Sequence, residues 1–416
     1  LKKNKTVLEN GATIIGIDIP GAKTVAIHIG FRTGSRTETP EISGISHFLE
    51  HMVFKGSPKR PTAADIAKEV DRIGAQYNAA TGKEYTYYHI HTTPENFDLA
   101  LDVVGDMATQ PIIDPKEFQK ERGTIIEEIK MYEDNPSFSI FGKMEGTLFG
   151  PETVMGRDIA GTEESVRGFT QEQMIAYFKK TYVGNNCIAV VAGKLPDNYE
   201  ENVSEYLEVL EKGVRTNWEK PSYAEKKLDV IFKDTEQAHF GISFPAFSVQ
   251  SQKRFAAEII ATVLGGYMSA RLFTEIREKR GWAYRVWAFC DAYSDAGYLG
   301  IYGGIRKDKM KESVEIVKNE TRDLFKSITD EEIERAKSNL KGSNTLRFDN
   351  PDSVAGFVLI NYLVSGKLET PEDFIKGIEG VSKEEISNVA EEVFAPGSLY
   401  LTIIGPFKKP EEFDNI

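Results

Sequence analysis

The second half of this chain repeats the first, and that limits the available folds more than any other feature. The run AHFGISFPAF from Ala238 echoes TVAIHIGFRTG from Thr24. RLFTEIREKRGWAYRV from Arg271 echoes ADIAKEVDRIGAQYNA from Ala64 at an offset of 207, which aligns Gly281 with Gly74. Farther on, ITDEEIERAKSNL echoes IDPKEFQKERGTI at an offset of 215, with Ile333 against Phe118. A period this long implies two whole domains of similar structure, each of about 200 residues and large enough to bury its own core.

Within the first copy, ATIIGIDI and TVAIHIGFRTGS read as strands, the second alternating apolar and polar residues. A helix-rich stretch runs from Gly44 to Gly74, and a Tyr- and Thr-rich strand starts at Tyr85. Helices follow over 96–110 and 114–132, then the strand CIAVVAG from Cys187. Residues 213–221 have no apolar period and carry Gly and Pro, which predicts a linker between domains at 1–212 and 222–416.

Lys plus Arg number 51 against 64 Asp plus Glu, and the net charge of −13 argues against nucleic acid or an anionic membrane as partner. No run of about 18 uncharged apolar residues is available to span a bilayer. The two cysteines, Cys187 and Cys290, form neither a disulfide framework nor a C-x-x-C pair. LKKNKTVLENG has no secretory or transit pattern, so the expected compartment is the cytoplasm.

Candidate chemistry concentrates in GISHFLEHMVFKG. Ile45, Phe48, Leu49 and Met52 mark one face of a helix, and His47, Glu50 and His51 mark another. Two imidazoles four residues apart point the same way and can reach one metal ion, with Glu50 beside them where an attacking water would sit. H-x-x-E-H inverts the commoner zinc-binding order H-E-x-x-H. The other histidines, His28, His89, His91 and His239, lack such spacing and read as strand or loop residues.

A zinc site needs a third protein ligand. Asp114 as cap, Pro115 at the first position and Glu117 in the first turn predict a helix whose buried stripe runs through Phe118, Ile125, Ile129 and Tyr132. Glu121 and Glu128 fall on the same stripe, seven residues apart and therefore about 20° from eclipsed. Inward carboxylates are costly unless paired or coordinated, so one of the two is a candidate ligand.

On these residues and the duplicated pattern, the chain resembles the pitrilysin family of zinc peptidases over both halves. The resemblance implies an α+β fold of two similar α/β domains, each a mostly antiparallel sheet packed with helices. It implies one zinc per chain, held by His47, His51 and Glu128, the last lying 77 residues after His51. Glu50 would be the catalytic base and Glu121 the acid that orients a ligand or the water. YNAATGKEYTYY from Tyr77 resembles the family's edge strand, which makes Asn78 and Ala79 candidate contacts to a peptide substrate bound as an added β-strand. Arg277 and Tyr284 match the family's substrate-binding pair, Tyr284 serving the oxyanion and Arg277 a substrate carbonyl. The second copy has Arg254, Ala257 and Glu258 where the motif would fall, and Ala336 and Ser343 for the glutamates, so it should hold no metal set.

The activity implied is a zinc endopeptidase acting on unstructured peptides or presequence-like segments in a chamber formed by a dimer. The metal set lies in one domain and the Arg/Tyr pair in the other, so the resemblance implies a homodimer with composite sites, or a heterodimer with a second chain. Two rival readings are a non-catalytic partner subunit, whose usual mark is a damaged metal motif, and a zinc hydrolase of a non-peptide substrate.

Overall fold

Two sheets organise the computed structural model, which describes residues 1–413. The first contains β1 (Lys2–Val7), β2 (Thr13–Asp18), β3 (Val25–Phe31), β4 (Gln76–Thr81), β5 (Thr86–Thr92) and β6 (Cys187–Gly193), in the order β1-β2-β6-β3-β5-β4. The second contains β7 (Leu228–Phe232), β8 (Gln237–Pro245), β9 (Ala283–Ala292), β10 (Gly297–Arg306) and β11 (Tyr400–Gly405), in the order β7-β11-β8-β10-β9. Apart from β1, the two orders coincide strand for strand. Pairings are antiparallel except for one parallel pair in each sheet, β2 with β6 and β7 with β11. The aligned glycines also behave alike: Gly74 (φ 61) and Gly281 (φ 64) take the left-handed conformation between a helix and an edge strand. Strand order and turn chemistry thus carry the duplication that residue identity shows only faintly.

The compact units differ from the expected halves 1–212 and 222–416. One unit comprises Leu1–Lys130, Asp158–Glu219 and Arg347–Pro371; the other comprises Met131–Arg157, Lys220–Leu346 and the chain from Glu372. Each sheet is covered by a helix from the other half of the sequence. Pro136–Phe149 packs on β8 and β11, and Pro351–Ser365 packs on β3 and β6. The physical reason is burial. β3 and β6 are buried along their whole length, so both faces of the sheet need cover. Val354, Ala355, Val358, Leu359 and Leu363 supply it on one face, against Ile15, Ile17, Ala26, Val190 and Ala192. Both covering helices start at an Asp-Asn-Pro triplet, 134–136 and 349–351, again offset by 215. Asn135 accepts from the Ser137 N–H (3.1 Å) and Asn350 from the Asp352 N–H (2.9 Å), with proline at the first helical position.

Residues 213–221 carry no helix or strand, but 213–219 are strapped to the first unit. Thr216 N–H donates to Asn186 Oδ1 (2.8 Å), and the Arg32 guanidinium lies 4.3 Å from the Trp218 ring centroid. Among the described residues, no helix is long and apolar enough to cross a membrane.

Candidate metal centre

Two helices build this centre, with all the residues concerned in the first unit. Ile45–Val53 starts at Gly44 (φ 92), where an added Cβ would lie 2.4 Å from the Ala160 carbonyl oxygen. Glu38 fixes the entry by accepting from the backbone N–H groups of Gly44 (2.7 Å) and Ser46 (2.8 Å). Ile45, Phe48, Leu49, Met52 and Val53 are buried, which leaves His47, Glu50 and His51 half-buried on the other side. The second helix, Pro115–Asp134, opens with Asp114 accepting from the N–H groups of Lys116 (2.8 Å) and Glu117 (3.1 Å). It buries Phe118, Glu121, Ile125 and Ile129. Tyr132, expected on that stripe, is 40% exposed; the helix has run past its core there, and Met131 beside it is exposed as well. Phe118 stacks on Phe48 with centroids 4.8 Å apart and planes 7° from parallel, fixing one helix against the other.

That register brings Glu128 to both histidines. Its Oε1 lies 3.7 Å from His47 Nε2 and its Oε2 lies 3.4 Å from His51 Nε2. Both separations exceed an ordinary N–H···O bond of about 2.7–3.2 Å. The His51 separation equals, and the His47 separation is slightly longer than, the edge of a tetrahedron with bonds of about 2.1 Å, which is about 3.4 Å, although each is made to a different oxygen of Glu128. One ligand atom from each of His47, His51 and Glu128 lies within 4.8 Å of the other two, so two imidazole nitrogens and a carboxylate oxygen can close on one zinc ion, and the donor types suit it. Burial, with His51 alongside, pushes the His47 pKa down to about 4, so its imidazole is neutral and free to ligate.

Glu121 does something different. It is 3% exposed, and its Oε1 lies 2.8 Å from His51 Nδ1 while its Oε2 takes an ion pair from Lys55 Nζ at 2.6 Å. It thus holds the far nitrogen of His51 and leaves Nε2 facing Glu128. Burial opposes charge on His51, but the Glu121 hydrogen bond and the charges of Glu128 and Glu50 outweigh it and raise that pKa. Glu50 accepts a hydrogen bond from Thr81 Oγ1 at the end of β4, and burial raises its pKa above the usual carboxylate value. Nothing in the spacing points to Thr81, which reaches Glu50 only because β4 pairs at the edge of the sheet next to the helix.

β4 ends the first sheet, so one side of it has no strand partner among the described residues. Asn78 is exposed there, and its Oδ1 accepts from the Ala79 N–H at 2.9 Å. Arg277 and Tyr284 lie together in the second unit. Arg277 Nη1 donates to the Tyr284 carbonyl (2.7 Å), and Tyr284, on the edge strand β9, is 67% exposed.

Residues 13–162 match the family model described as insulinase, peptidase family M16, and residues 168–340 match the model described as peptidase M16 inactive domain. The chain is 36% identical to YmxG, an uncharacterized zinc protease of Bacillus subtilis, over 96% of this chain and 97% of that one. It is 32% identical to an uncharacterized zinc protease of Streptomyces coelicolor, over 97% and 90% of the two chains. Among solved structures, a protease from Helicobacter pylori superposes with a TM-score of 0.87 at 20% identity, covering 97% of this chain and 99% of that one. A peptidase M16 inactive domain from Pseudomonas fluorescens superposes with a TM-score of 0.89 at 19% identity, covering 98% and 99%.

Proposed function

Because this chain belongs to the insulinase family, peptidase family M16, we propose that it is a zinc-dependent endopeptidase with one catalytic zinc per chain, held by His47, His51 and Glu128. The observation that carries this is the convergence of those three donors around one point, with Glu50 on the same helix face. Zinc bound there supplies a Lewis acid that activates water and polarises the scissile carbonyl. Glu50, steadied by Thr81, takes the proton of the attacking water and delivers it to the leaving amine, so no covalent intermediate is needed. Glu121 keeps the His51 proton on Nδ1 and the ring in place.

An unstructured peptide or presequence-like segment adds to the open side of β4 as an extra strand, where Asn78 and Ala79 meet it. Tyr284 and Arg277 serve the oxyanion and a substrate carbonyl from a second copy of the chain, giving a homodimer with composite sites. The exposure of Tyr284 supports that arrangement, as does the finding that both candidate metal sets among the described residues lie in the first unit. The match to the inactive-domain model covers none of His47, Glu50, His51, Glu121 or Glu128, so it does not favour a partner-subunit role. Cys187 is buried and both cysteines are free, which suits a reducing compartment such as the cytoplasm.

Chelation should abolish peptide cleavage and zinc should restore it; cleavage that survives removal of all metal would reject the zinc mechanism. For the dimer, inactive Glu50→Gln chains are mixed with inactive Tyr284→Phe chains under conditions of verified subunit exchange. Recovered activity is expected, and its absence would mean that each chain works alone.

A further inference from the structure

Another group of ligand-type side chains lies in the first unit, and the peptidase reading does not use it. His28 on β3 and His89 on β5 are direct cross-strand partners, so their imidazoles lie side by side, with ring centroids 4.7 Å apart. Asp352, in the first turn of the helix Pro351–Ser365 that covers this sheet, points its carboxylate between them. Its Oδ1 is 2.8 Å from His28 Nε2 and 2.9 Å from His89 Nδ1. The other nitrogen of His28 is buried without a hydrogen-bond partner, so the polar anchoring of that ring is all at the Asp352 end. Gly356, one turn on, adds no side chain over the ring; a Cβ there would come 3.4 Å from His28 Cε1.

We propose that His28, His89 and Asp352 form a second divalent-metal site, structural in role, which pins the covering helix to β3 and β5. Two imidazole nitrogens and one carboxylate oxygen, all within 4.8 Å of one another, are the donor set of a borderline ion such as Zn2+, with Co2+ and Ni2+ as weaker or stronger relatives in the usual order. An ion with bonds of about 2.1 Å needs these atoms about 3.4 Å apart, so the two contacts open by roughly half an ångström. His28 is 2% exposed, but the side chains of His89 and Asp352 are 18% and 26% exposed, which leaves the ion a route from solvent and a position for water. The site has a reason to be on this sheet alone: 215 residues before Asp352, in the helix that covers the second sheet, stands Ser137. A metal here fastens a helix that arrives from the far half of the sequence, a long-range contact whose closure costs chain entropy.

The test is zinc stoichiometry of the full chain by equilibrium dialysis with elemental analysis, read alongside thermal unfolding and independent of peptidase activity. Wild type is expected to bind two equivalents. His89→Ala and Asp352→Asn each lose one equivalent and the part of the zinc-induced rise in Tm that goes with it. The double variant His47→Ala/His51→Ala keeps one. If His89→Ala fails to fold, His89→Gln keeps a polar side chain at this partly exposed position and serves instead. Zinc binding to wild type that is unchanged in both His89→Ala and Asp352→Asn overturns the proposal, whether one equivalent is bound or two.

Discussion

Replacing Glu121 separates a ligand from a residue that orients one. The Glu121 carboxylate makes two charge-assisted contacts, 2.8 Å to His51 Nδ1 and 2.6 Å to Lys55 Nζ, and makes no approach to His47. Glu121→Gln keeps an oxygen that still accepts from His51 Nδ1–H, so the ring holds its direction, but the negative charge that makes Nε2 a better donor is gone. Glu121→Ala removes both contacts, frees the ring and leaves the Lys55 ammonium facing the site. Loss of an outer-shell partner typically weakens metal binding about 10- to 100-fold, or about 1.4 to 2.8 kcal/mol. We place glutamine near the lower figure and alanine near the upper. Glu128→Ala, which removes one of the three converging donors, should leave no stable zinc at this centre. Competition against a chromophoric chelator measures all three variants, with circular dichroism to confirm the fold. Wild-type zinc affinity in both Glu121 variants would refute the orienting role, and zinc lost in Glu121→Ala but kept in Glu128→Ala would mean that the wrong glutamate has been taken as the ligand.

Phe48→Ala breaks the stack that sets the two helices in register; Phe48 is 0% exposed, so the cost should be about 3–5 kcal/mol in urea unfolding, with weaker zinc binding as well. A loss under about 1 kcal/mol would show that the stack does not hold the helices. Acid stability should depend on Asp102. Burial pushes its pKa up, but hydrogen bonds from Lys59, Tyr206 and Arg60 outweigh that and leave it at about 2. The folded pKa lies below the unfolded value of about 3.9, so this stabilisation is complete above pH ~4 and drains away as pH falls towards ~2. Asp102→Asn should therefore cost about 1 kcal/mol of unfolding free energy at pH 7 after allowance for solvent screening, seen as a lowered Tm, and should differ little from wild type near pH 2; an equal difference at both pH values would reject the assignment.

The local chemistry was more legible than the long-range packing. His47 and His51 share a helix face because four residues make about one turn, and Glu121 and Glu128 share one because seven make about two. Which glutamate would approach the histidines could not be settled by that periodicity, since both face inward; the Phe48–Phe118 stack sets the axial register that decides it. Thr81 comes to Glu50 through strand pairing, which leaves no mark in the spacing. The exchanged helices did leave one, the Asp-Asn-Pro triplets at 134–136 and 349–351, but a helix start does not say which sheet the helix will cover. His28, His89 and Asp352 show the same limit. They are 61 and 263 residues apart along the chain, and only the register of β3 on β5 and the docking of a distant helix bring them together. Tyr132 erred the other way, because a stripe of apolar residues outlasts the core it faces.

Whether this chain is a zinc peptidase with Glu50 as its base is tested by cleavage of unstructured peptides of about 15 to 30 residues, long enough to bind as an added strand, by wild type and Glu50→Gln, with zinc content measured in both. Equal zinc is expected in both, with turnover in wild type and none in the variant. Equal zinc with no cleavage by either chain would contradict the peptidase assignment, and cleavage by Glu50→Gln at the wild-type rate would remove Glu50 as the base.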